Sequence, residues 1–135
     1  MRKKGRGKIL NISSTAAFQP GPNMAVYFAT KAFVLSFSSA LAQELKPYNI
    51  QVTALCPGPA NTGFILKSKH CGETRIFQNL LSPQQIAKEG FEALKYNKTV
   101  HVVGYRNKLL SILPRFAPLK ISTKISDYFL TKVDK

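Results

Sequence analysis

"KILNISSTAAFQPGPNMAVYFATKAF", residues 8–33, joins a short β-prone run to the opening of a long apolar helix. Residues 8–14 read as a strand that stops in polar residues, as a strand does where it meets the edge of a site. The Gly-Pro-Asn run at 21–23 supplies turn chemistry, with Asn23 expected as the N-cap of a helix from Met24 to about Lys46, where Pro47 prevents continuation. Between Met24 and Gln43 the only charged residue is Lys31. An ammonium group in an apolar helix needs a partner, and Tyr27, one turn earlier, is the first candidate.

Working outward, "NIQVTALCPGP" at 49–59 reads as a second strand buried on both sides, closed by Pro57 and Gly58. Residues 59–81 carry no clear period and read as a long functional loop, with a short helix expected near 75–81. Ser82-Pro-Gln-Gln85 has the form of a capping box with proline at the first helical position. Ile86, Ala87, Gly90, Phe91 and Leu94 follow at helical spacing, and this helix should end near Asn97. Residues 99–105 read as a third strand. A helix starting near Asn107 is interrupted at Pro114, and a basic amphipathic segment runs from Pro118 to Thr131. Strands alternating with helical connections imply crossovers and a parallel sheet. The expectation is an α/β fold with about three parallel strands, flanking helices and a basic helical tail.

Composition narrows the function classes. The chain has 135 residues, 44% of them hydrophobic, which suits one ordinary globular domain on the small side for a layered α/β architecture. Cys56 and Cys71 form no CxxC pattern and no disulfide framework, and together with His70 and His101 they match no metal-ligand spacing, so no metal is expected. Thr30, Lys31, Ser36, Ser38 and Ser39 interrupt the longest apolar stretch, which argues against a membrane span. The basic start lacks an apolar signal region and leads straight into a strand, so a cytoplasmic location is expected. A net charge of +14 favours anionic partners. The basic residues show no nucleic-acid-binding signature, and no nucleic-acid partner is expected.

The chemistry is carried by three side chains. Residues at i and i+4 share a helix face, so the Tyr27 hydroxyl and the Lys31 ammonium can reach one pocket. An unperturbed phenol, with a pKa of about 10, exchanges protons poorly near neutrality, and a nearby cation lowers that value. Ser14, at the C-terminal end of the first strand, lies on the side of a parallel sheet where the following helix begins and where ligands of open α/β sheets bind. Its hydroxyl can meet a substrate oxygen on which charge develops. Taken singly these are ordinary features: Tyr and Lys one turn apart are common on helices, and serines after a strand are common in loops. Their conjunction, with "PGPANT" at 57–62 closing the next strand, fits carbonyl reduction or alcohol oxidation.

In Ser14, Tyr27-x-x-x-Lys31 and the Pro57-Gly58 turn with Thr62 downstream, the sequence resembles the short-chain dehydrogenase/reductase family, strongly over residues 5–64 and more loosely over 82–105. The resemblance implies a Rossmann-like three-layer sandwich and an NAD(P)-dependent oxidoreductase interconverting a carbonyl and an alcohol. It implies that Ser14 orients the substrate and Tyr27 donates or accepts the proton. Lys31 would lower the Tyr27 pKa and hold the nicotinamide ribose. Pro57, Gly58 and Thr62 would sit against the nicotinamide end of NADP or NAD, with NADP favoured by analogy alone. Phe64, Ile65, Leu66 and Phe77 suggest a small apolar carbonyl or alcohol substrate.

The chain also departs from the family pattern. The glycine-rich strand-turn-helix that holds the pyrophosphate has no counterpart, since "GRGK" at 5–8 precedes a strand instead of following one. Against that pattern residues 1–135 are a single partial domain, the C-terminal half, with 107–135 as an extension. The first strand is then expected to expose an edge prone to aggregation. A catalytically silent remnant, or a basic membrane-surface binding module, is the alternative reading. For the outer face of helix 24–46 two occupants stay open: a second copy in a homodimer, or further parts of the same domain. For the tail, a helix over the substrate pocket competes with a peripheral membrane contact.

Overall fold

A computed structural model of the chain describes residues 1–63 and 80–131. Three parallel strands, β1 (Gly7–Ile12), β2 (Ile50–Cys56) and β3 (Val100–Val102), form one sheet in that order. Gly7 pairs with Ile50 and Ile12 with Leu55, while Ala54 to Cys56 pair with Val100 to Val102. The central place of β2 follows from its composition. Ile50 and Val52 through Cys56 are all buried, so this strand can be covered on both faces.

Alternation along β1 assigns the two helical layers. Asn11 points to one face, where its Nδ2 donates to Ser38 Oγ at 2.9 Å on helix α1 (Ala25–Leu45). Leu10 points to the other face, where it meets helix α2 (Pro83–Lys95) at Gly90 together with Leu55. A Cβ on Gly90 would lie 2.8 Å from Leu55 Cδ2, so glycine is what lets this helix approach β2 closely. Sheet and helices thus make the expected three-layer α/β sandwich. Helix α3 (Tyr105–Ile112), a 3-10 turn at Leu113–Arg115 and helix α4 (Leu119–Leu130) complete the described chain.

Several local expectations are corrected. Asn23 does not cap α1: its φ is +62°, a left-handed turn residue, and Met24 holds the cap position without a side-chain bond. The turn preceding the helix, closed by Met24 N–H to Gly21 O at 3.1 Å, takes up the asparagine that the helix would have used. The capping box at α2 is half formed. Ser82 Oγ accepts from Gln85 N at 3.1 Å, whereas the Gln85 side chain turns to Glu89 instead of back to the cap. β1 ends at Ile12, short of the serines, and β3 is three residues long because the chain turns at Gly104, φ +83°. The short helix expected near 75–81 falls mainly outside the described residues.

Helix α1 is less buried than its apolar sequence suggests. Only Phe28 and Ser38 are buried, while Val26, Phe33 and Phe37 are exposed, the last two stacked at 5.8 Å between ring centroids. By length and mean hydropathy, 1.4, the helical stretch Ala25–Tyr48 qualifies for a membrane span despite its interrupting polar residues. Here it covers one face of β1 and β2. The outer edge of β1 has no paired strand among the described residues.

Candidate active site

The C-terminal ends of β1 and β2 are joined just past the sheet. Ser13 N–H donates to Leu55 O at 2.7 Å and Thr15 N–H to Pro57 O at 2.9 Å, so the serines and the Pro57-Gly58 turn form one rim. Ser14, extended and buried, opens a 3-10 turn at Thr15–Phe18, where its Oγ accepts from Ala16 N at 3.1 Å. The same hydroxyl donates to Pro57 O at 3.4 Å, a long and therefore weak bond. Its proton can be redirected to a ligand oxygen at little cost.

The turn after Ser14 packs beside the tyrosine. Ala16 packs with Phe28 and Leu130, and Tyr27 lies partly buried against that cluster, its ring edge-on to Phe28 with centroids 6.1 Å apart. Leu130 brings the last turn of α4 onto the same place. Lys31, one turn along α1, holds its Nζ 5.7 Å from the centroid of the Tyr27 ring and donates to Ile12 O at 3.2 Å. The one charge between Met24 and Gln43 is therefore anchored to the end of β1 beside the tyrosine. One of its three N–H donors is used in this way.

Ser13 is the residue that sequence reasoning missed. Its side chain is buried, and its Oγ donates to the backbone carbonyl of Lys31 at 2.8 Å, tying α1 to the strand end at the residue that carries the ammonium. The signal for it was the doubled serine, of which only the second had an assigned use. Cys56, buried at the end of β2 near Ser13, Ser14 and Lys31, lies beneath the rim. Burial pushes its thiol up, against weaker pulls from those three neighbours, and so keeps it neutral and unreactive.

Pro57 and Gly58 continue the rim toward α3. A Cβ on Gly58 would come within 2.5 Å of Asn107 Nδ2, which donates to Val103 O at 2.9 Å. Behind this contact Glu89 on α2 receives Gly104 N–H at 3.3 Å and pairs with His101 Nε2 at 2.9 Å. His101 is thus engaged by Glu89, and among the described residues no cluster of His, Cys, Asp and Glu could hold a metal. Thr62 is exposed, with its N–H turned back to Ala60 O at 2.8 Å. The structure therefore gathers Ser14, Tyr27, Lys31, Pro57 and Gly58 along one sheet edge, with Thr62 four residues beyond Gly58. Phe64, Ile65, Leu66 and Phe77 lie outside the described residues.

A family model described as short chain dehydrogenase matches residues 1–70. A 3-ketodihydrosphingosine reductase of Bacteroides thetaiotaomicron is 47% identical over 64 residues, which is 47% of this chain and 24% of that protein. The human dehydrogenase/reductase SDR family member 4 is 42% identical over 64 residues, 47% of this chain and 23% of the relative. Among solved structures, a 3-ketoacyl-(acyl-carrier-protein) reductase from Brucella melitensis complexed with NADH is 31% identical, with a TM-score of 0.63 over 76% of this chain and 45% of that one. A short-chain dehydrogenase from Sphingobium yanoikuyae in complex with NADPH is 26% identical, with a TM-score of 0.68 over 84% and 45%. The matched region thus spans about a quarter of those curated relatives and just under half of the solved ones.

Proposed function

Because the chain belongs to the short chain dehydrogenase family, we propose that it carries the proton-transferring half of an NAD(P)-dependent oxidoreductase that interconverts a carbonyl and an alcohol. The observation that carries this reading is the Lys31 ammonium anchored on Ile12 O beside the Tyr27 ring, at the sheet edge where Ser14 opens the turn that follows β1. Ser14 directs its loosely held hydroxyl to the substrate oxygen and fixes its position. Tyr27 gives its phenolic proton to that oxygen during reduction and takes it back during oxidation. Lys31 places positive charge beside the phenol as negative charge develops there.

The donor set suits a nicotinamide dinucleotide. Lys31 has N–H donors beyond the one on Ile12 O for ribose hydroxyls, the Pro57-Gly58 backbone forms a surface for the ring, and the exposed Thr62 hydroxyl suits a carboxamide. When bound, this cofactor supplies or accepts the hydride. NADP(H) is favoured over NAD(H) by analogy with the family alone. A small apolar carbonyl or alcohol is the substrate class that Phe64, Ile65, Leu66 and Phe77 suggest from the sequence. Residues 1–135 act as a partial domain, the natural complement of a dinucleotide-binding half. The open face of α1 at Phe33 and Phe37 is the surface for a second copy or for that half.

Titrating NADPH and NADH into the natural full-length protein, with nicotinamide fluorescence as the readout, tests the reading. Saturable binding is expected, and Lys31→Met should weaken it roughly ten- to a hundredfold, the range for a lost hydrogen bond to a charged group. Absence of saturable binding, or full affinity in Lys31→Met, would overturn it in favour of a silent binding module.

A further inference from the structure

Helix α4 has one committed face and one open face. Ser122, Ser126 and Leu130, four residues apart, are buried, and Leu130 reaches Ala16 and Phe28. Away from that face Ile121, Ile125 and Phe129 recur at the same spacing, 50%, 51% and 45% exposed, with Tyr128 beside them at 59%. Lys120 and Lys124 run along the border of this stripe. At the foot of the helix Phe116 stands out at 84% exposure. From Tyr105 to Thr131 the charged residues are Arg106, Lys108, Arg115, Lys120 and Lys124 against Asp127 alone.

We propose that the outer face of α4, with Phe116 at its foot, lies on an anionic lipid surface. An apolar stripe bordered by lysines matches the two-part chemistry of a headgroup layer: the stripe enters the acyl boundary while the ammonium groups stay among phosphates. The 12 residues of α4 give a contact about 18 Å long. A second copy is the poorer occupant, because a symmetric contact through this face would bring Lys120 and Lys124 toward their own counterparts. Since the inner face of α4 packs beside Tyr27, a lipid contact on the outer face places the candidate active site next to a reservoir of apolar carbonyl compounds. The inference does not depend on the redox reading, because its test needs neither cofactor nor turnover.

The experiment is flotation of the purified chain with vesicles of phosphatidylcholine, with and without phosphatidylglycerol. Binding is expected only with phosphatidylglycerol and should fall as salt is raised. Lys120→Gln and Lys124→Gln should each lower partitioning roughly fivefold, the worth of one basic residue near a charged surface. Ile125→Ser with Phe129→Ser should lower it further, whereas Lys3→Gln with Lys4→Gln, in the equally basic N-terminal turn, should leave it nearly unchanged. Equal binding to both lipids, no binding to either, or equal losses from the N-terminal and α4 lysine variants would overturn the proposal. Loss of self-association in Phe129→Ser with vesicle binding intact would assign the face to a second copy instead.

Discussion

Replacing Gly58 by alanine tests whether the rim of the site is as closely built as its geometry states. The new methyl would come within 2.5 Å of Asn107 Nδ2 and 2.9 Å of its Cγ, roughly an ångström inside ordinary contact. Asn107 has a short side chain, so relief requires turning the amide away and giving up its bond to Val103 O at 2.9 Å. The lost hydrogen bond costs about 1 kcal/mol and overpacking adds about 1–3 kcal/mol, for a destabilisation of about 2–4 kcal/mol. Removing the obstacle should restore most of this, since Gly58→Ala combined with Asn107→Ala keeps the methyl and lacks the clash. Urea unfolding of the wild type, both single variants and the double variant closes the cycle, with a coupling of about 1–3 kcal/mol expected between the two sites. A Gly58→Ala protein within about 0.5 kcal/mol of wild type, or strictly additive changes, would refute the reasoning.

Two further outcomes follow from titrating groups. Desolvation pulls Glu89 up, but hydrogen bonds from His101, Gln85 and the Gly104 N–H outweigh it and hold the carboxyl below its ordinary value. A lowered folded pKa contributes stability above the ordinary carboxylate pKa of about 4.3 and loses it as pH falls through the folded value, so Glu89→Gln should flatten the acid limb of a stability–pH curve measured by urea midpoints. An unchanged acid limb would show that this network contributes nothing. For Cys56, brief alkylation of the native protein at mildly alkaline pH, followed by peptide mass spectrometry, should find the thiol unmodified until denaturant is added. Rapid native labelling would place it at the surface.

The layered fold was legible in sequence because its strongest signals are local. The mostly apolar run from Val52 to Cys56, closed by Pro57 and Gly58, reads as a strand covered on both faces, and the helical spacing after Ser82 marks α2. What escaped was decided by tertiary context. Asn23 has the chemistry of a cap, but the turn before α1 needed a residue in the left-handed region and took it. The apolar surface of α1 suggested burial, yet the three strands offer cover for one side only, and Phe33 and Phe37 stack in the open. Tyr27 and Lys31 were readable because four residues of helix put them on one face. Ser13 was not, because its use is a bond to the carbonyl of Lys31, eighteen residues away. The pairing of Glu89 with His101 likewise joins a helix to a strand and leaves no periodic trace.

The central claim is that Tyr27 is the proton donor and acceptor of a carbonyl-reducing site. The most direct measurement is the rate of NADPH-dependent carbonyl reduction by the natural full-length protein and by its Tyr27→Phe variant, with cofactor affinity measured alongside. Loss of the phenolic proton should lower kcat by about two to four orders of magnitude while leaving NADPH binding nearly unchanged. A Tyr27→Phe protein that turns over at a rate close to wild type would contradict the account.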